Sequence, residues 1–117
     1  MKLGMSRSEI LQNLRAIVAS LAKARPDEVA QIVGTLKART RGRTEGADVS
    51  RFGAEVIITD LCDYPLDVVR DACDAWIDTE GGKWFPAWAE LKLLCEARVR
   101  GRRALAKGLQ WMLERTP

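Results

Sequence analysis

The run Pro65-Leu66-Asp67-Val68-Val69-Arg70-Asp71-Ala72-Cys73-Asp74-Ala75-Trp76-Ile77-Asp78-Thr79 decides the fold class. At about 100° per residue, Val69, Ala72, Cys73 and Trp76 gather on one side of a helix, and Asp67, Asp71, Asp74 and Asp78 fall on the opposite side. A helix so divided needs other elements to bury its apolar face. Tyr64-Pro65 breaks the chain before it, because proline cannot continue a helix and restricts the residue that precedes it. Gly81-Gly82 ends it.

Upstream, a third helix capped by Asp48 is expected to run to about Asp63. Ala54, Ile57, Ile58 and Leu61 form one apolar face and Phe52 and Val56 another, so the helix reads as central and buried on more than one side. Before it, Arg39 to Gly46 (RTRGRTEG) is a charged loop by composition. Val29, Ile32, Val33 and Leu36 give a second helix its apolar face, and Pro26 suits its first turn, where a missing N–H costs nothing. Ser6-Arg7-Ser8-Glu9 fits a capping box, with Ser6 as N-cap and Glu9 reaching back to its amide. Ile10, Leu14, Ile17 and Leu21 follow at helical spacing, widened by Leu11 and Val18.

Downstream, Lys83-Trp84-Phe85-Pro86 leads into a fifth helix, with Pro86 near its first turn. Trp88, Leu91, Cys95 and Val99 line one face, while Lys92, Glu96 and Arg100 form i,i+4 pairs on the exposed side. Gly101 is expected to end this helix, since glycine costs about 1 kcal/mol in a helix interior. Arg102 to Arg115 would then be a sixth helix, burying Leu105, Leu109, Met112 and Leu113. With no convincing strand, the chain reads as one all-α domain over residues 1–117, a compact bundle of five to six helices with a charged loop at 39–47 and a possible break at 101.

Composition narrows the function. At 117 residues, 47% apolar and 30% charged, the chain can build one core and is not disordered. It has no histidine, which removes most catalytic triads and the commonest zinc-ligand set. Cys62, Cys73 and Cys95 lack CxxC spacing and read as small core side chains in a reducing, cytoplasmic setting. No apolar run reaches the ~20 uncharged residues of a membrane span, and nothing resembles a secretory leader. Gly81-Gly82-Lys83 lacks the upstream glycine of a phosphate loop, and Trp84 stands where Ser or Thr would hold magnesium. No enzyme, cofactor or metal is expected.

Charge is strongly segregated. Residues 1–44 carry +6, residues 45–80 carry −8, and residues 81–117 carry +5. Either these surfaces attract one another within one fold, or they meet different partners. Two basic clusters, Arg39, Arg41 and Arg43, and Arg98, Arg100, Arg102, Arg103 and Lys107, could hold a phosphate backbone. The stripe Asp67, Asp71, Asp74 and Asp78 is either a solvated face or a contact surface for a basic partner. Like charges one turn apart on it oppose the helix by a few tenths of a kcal/mol each. Trp111 lies off the Leu105/Leu109/Met112 face, with Lys107 and Arg115 one turn to each side. It is packed under a neighbouring helix or touches a partner. Trp84, Phe85, Pro86 and Trp88 form an aromatic clasp between the fourth and fifth helices, or a wedge.

Leu61, Tyr64-Pro65, Val68-Val69, Ala72 and Trp76, followed by Lys83-Trp84-Phe85-Pro86, Trp88 and Glu90-Leu91, resemble a motif of small phage and prophage replication proteins related to replicative helicase loaders and inhibitors. The resemblance covers roughly residues 48–95. It implies an all-helical, non-enzymatic adaptor that binds a hexameric replicative helicase and helps or blocks its placement on DNA. Tyr64, Pro65, Trp76, Trp84, Phe85, Pro86, Trp88, Glu90 and Leu91 fall on the motif, in roles that look structural. The basic region at Arg98–Lys107 departs from the pattern. Two other readings stand beside it: a nucleic-acid-binding module using the arginine clusters, and an inhibitor of another host protein using the aspartate stripe. The oligomeric state is open.

Overall fold

The computed structural model describes residues 5–42 and 47–117, with the side chains of residues 47–52 outside that description. The fold is an all-α bundle: α1 (Arg7–Ser20), α2 (Pro26–Arg39), α3 (Ala47–Leu61), α4 (Leu66–Ile77) and α5 (Trp88–Arg115). No strand occurs among the described residues. An isolated bridge joins Arg41 to Trp84.

Local chemistry sets the helix starts. Ser6 caps α1, its hydroxyl accepting from the Glu9 amide at 3.2 Å, but the Glu9 carboxylate accepts from that same hydroxyl at 3.0 Å, where the capping box expected it to accept from the Ser6 amide. Pro26 opens α2, with Asp27 and Glu28 in its first turn and Lys37 and Arg39 in its last, as the helix dipole favours. At the start of α5 the Ala87 amide donates to the Glu90 carboxylate at 2.9 Å. Pro86 lies just ahead of that helix rather than inside it.

The core forms where α2, α3, α4 and the first half of α5 meet. Val33 and Leu36 of α2, Leu61 of α3, Val69 and Ala72 of α4, and Leu91, Cys95 and Val99 of α5 are buried in one cluster. The α4 face read from the sequence is therefore the inner face. The linkers are tied as well: the Ala24 amide donates to the Tyr64 carbonyl at 2.9 Å, joining the α1–α2 and α3–α4 connections. Arg41 donates its amide to Lys83 at 2.7 Å and accepts from Phe85 at 3.0 Å, so the basic loop is pinned to the aromatic segment by its backbone.

Three expectations change. Gly101 does not end a helix: α5 runs unbroken for 28 residues, about 42 Å at 1.5 Å per residue. Glycine at positions 101 and 108 opposes that helix by about 1 kcal/mol each, yet α5 stays helical through both, with α1 packed along its second half. Second, α3 is not central. It packs mainly against α2, and Val56 on its other face is 40% exposed. Phe52 and the Asp48 cap lie outside the described side chains. Third, Leu105, expected in the core, is 53% exposed.

The first and third differences share one cause. Beyond Arg102, α5 has α1 as its packing partner, and the two run antiparallel as an arm. Ile10 and Leu109 are the buried apolar side chains within the arm, and neither joins the main core cluster. The molecule extends 62 × 27 × 17 Å, with a radius of gyration of 18.1 Å. A compact chain of this length has about 13 Å. No described helix is long and apolar enough to cross a membrane.

Candidate functional site

The arm is fixed at both ends by arginines. At its tip the Arg7 guanidinium donates to the carbonyls of Leu113 (3.2 Å) and Thr116 (2.8 Å), closing the last turn of α5. At its base Arg102 donates to the Ser20 carbonyl at 2.9 Å and grips Asp67 of α4 with both nitrogens, one at 3.0 Å. One guanidinium thus joins α1, α4 and α5. Its hydrogen bonds hold the Asp67 carboxyl below the usual range, and the same contact raises the Arg102 pKa.

That contact redraws the predicted charge surfaces. Arg102 is committed to Asp67, and Arg39 lies 3.6 Å from Asp74. Two members of the acidic stripe therefore face arginines from the two basic clusters, while Asp71 and Asp78 face solvent. Charge segregation along the chain serves, at these positions, attraction within the fold. The aspartates do not converge: among the described residues no group of three or more acidic or cysteine side chains stands close enough to hold a metal ion.

Arg103 is likewise occupied. It pairs with Glu96 at 3.0 Å and lies over the Tyr64 ring at 5.5 Å, while the buried Tyr64 hydroxyl donates to the other Glu96 oxygen at 2.8 Å. The Tyr64 hydrogen bond is the main cause that lowers the Glu96 pKa. Burial, then that bond, push the Tyr64 phenol well above its ordinary value. Glu96, read as a partner for Arg100 along its own helix, instead links α5 back to the α3–α4 turn. Arg98 donates to the Leu94 carbonyl at 2.9 Å, within its helix. Arg41, Arg100 and Lys107 point outward, and Arg43 lies outside the described residues.

The motif residues take supporting places. Tyr64, Pro65, Trp76, Pro86 and Leu91 are buried, and Phe85 and Trp88 pack against the core. The Trp76 indole donates to the Trp84 carbonyl at 2.8 Å. Trp84 itself is 37% exposed, with the Lys83 ammonium 5.7 Å from its ring. This is the clasp reading, completed by backbone as much as by rings. Burial pushes the Cys73 thiol up to about 12 and the Cys95 thiol up to about 11, so neither is a thiolate at neutral pH.

Trp111 is the exception. It is 55% exposed, with the Arg115 guanidinium stacked 4.0 Å from its ring centre. It shares a shallow groove with Leu14, Val18, Ala106, Lys107, Gln110 and Glu114. Val18 is 54% exposed there. Periodicity placed Val18 at the margin of the α1 stripe, but not on a surface shared with Trp111, because it does not report which helix lies opposite. No family model, curated protein or solved structure matches the chain.

Proposed function

We propose that this chain is a non-enzymatic cytoplasmic adaptor that works by protein–protein contact through the Trp111 side of the α1–α5 arm. Its partner is of the class that the sequence resemblance implies, a hexameric replicative helicase whose placement on DNA it helps or blocks. The exposed Trp111 carries the reading. An indole flanked by the cations Arg115 and Lys107, beside Leu14 and Val18 and with Glu114 in the same groove, has the composition of an interface hot spot. It suits a partner surface that combines apolar side chains with carboxylates. The Trp76 hydrogen bond to the Trp84 carbonyl, with Phe85 and Trp88 packed against the core, joins α4 to the start of α5.

Gel filtration of the chain with a replicative helicase, against each protein alone, tests the proposal. Co-elution at micromolar concentration is expected. Trp111→Ala should weaken binding by about 2 kcal/mol, roughly thirtyfold, with little change in stability because the ring is exposed. Absence of co-elution by the wild-type chain overturns the partner.

Outward-facing Arg100 and Lys107 favour nucleic acid as the second reading. It is tested at those two positions, since charge reversal at Arg102 or Arg103 also breaks contacts within the fold. DNA affinity that falls with salt by about one log unit per phosphate contact, with a smaller slope in Arg100→Glu/Lys107→Glu, would support it.

A further inference from the structure

The two sides of the arm differ. On the Trp111 side the groove includes Lys107 and Glu114. On the other side Met5, Asn13, Ala16, Ile17, Leu105 and Leu109 line a surface with no ionisable side chain. Leu105 stands there more than half exposed. Along α5 it belongs to the series Gly101, Leu105, Gly108, Met112, whose 4-3-4 spacing is that of a helix-packing seam. A Cβ at Gly101 or Gly108 would meet nothing within 4 Å. This chain alone gives the two glycines no packing purpose, yet both disfavour the helix that contains them.

We infer that this uncharged face binds a second copy of the same chain, closing two α1–α5 arms into a four-helix bundle. Three observations select a second copy. First, α1 and residues 98–115 carry eight basic and two acidic side chains, so two arms repel wherever those groups meet. The face around Leu105, bordered by Arg98, Arg102 and Arg115, is where identical arms touch with least of that repulsion. Second, projections (Ile17, Leu105) and a small residue (Ala16) line this surface, and helical spacing puts Met112, Gly101 and Gly108 on the Leu105 side of α5, giving the mixture of knobs and gaps that a self-complementary two-fold contact requires. Third, the arm has one layer where stable helical folds have two, and a second hairpin supplies the missing layer. Two helices about 21 Å long offer roughly 500 Å² per copy, about 1,000 Å² for the pair, near the lower limit for a specific interface. The dimer is accordingly concentration-dependent. It leaves both Trp111 surfaces outward and goes beyond the adaptor reading without resting on it.

Sedimentation velocity of the full chain from low to high micromolar concentration tests this. The mass should rise from 13.0 kDa towards twice that value. Leu105→Glu should raise the dimer dissociation constant by at least about tenfold, because an apolar contact is lost and a carboxylate must be desolvated in its place, and leave the helical circular dichroism unchanged. Gly108→Gln, with open space in the isolated chain, should weaken the dimer similarly, whereas Trp111→Ala should dimerise like wild type. A wild-type mass fixed at 13.0 kDa overturns the inference. So does a dimer that tolerates both Leu105→Glu and Gly108→Gln, or one abolished by Trp111→Ala. Helicase binding is read separately, so either proposal can fail alone.

Discussion

Gly82 packs so closely against the end of α4 that a Cβ there would fall on the Ile77 and Trp76 carbonyls. Its φ is not positive, so the requirement is close approach and not a left-handed turn. Gly82→Ala should lower stability by about 2 kcal/mol in urea unfolding, as the chain end of α4 moves away. Tyr64→Phe removes the hydroxyl that donates to Glu96 and should cost about 1 kcal/mol by the same measurement. The pairings of Glu96 and Asp67 also set the acid response. Both carboxyls have folded pKa values below their unfolded ones. Their contribution is therefore present above the ordinary carboxylate range and is lost as pH falls from about 4 through the folded values. Both side chains are partly exposed, which keeps each contribution small. The slope of stability against pH below about 4 should be shallower in Asp67→Asn and in Tyr64→Phe. None of these contacts was legible in the sequence. Tyr64 and Glu96 lie 32 residues apart, and Asp67 and Arg102 lie 35 apart, so no local pattern announces either pair.

Among the elements, α4 was the most legible, because one side of it is wholly apolar and the core contains that side. The Ser6 cap and the Pro26 start were legible for the same local reason: their partners lie within one turn. Gly101 was misread because helix propensity is a weak local preference that packing overrides. With α1 lying along it, α5 stays continuous. Gly101→Ala should raise stability by about 1 kcal/mol, measured in dilute solution, since the added methyl meets no neighbour. A true break at that position would show no such gain. Leu105 was misread because it shares a stripe with Leu109 and Met112, and periodicity assumes something packs along the whole stripe.

At the scale of the molecule, no residue pattern signals the division into body and arm, which depends on how many helices surround each half of α5. That division predicts unequal protection. Amides of α1 and residues 104–115 should exchange with solvent at least about tenfold faster than those of α4 and residues 91–99, because far fewer buried side chains hold the arm. Amide hydrogen exchange of the dilute chain would show this; uniform protection would mean the arm and core open together. The continuity of α5 also has a mechanical side. Leu91 in the core and Trp111 near the tip are separated by about 30 Å of one rigid rod, with no joint between them. A force applied at the indole reaches the core as torque, with its fulcrum where Arg102 fastens Ser20 and Asp67 together.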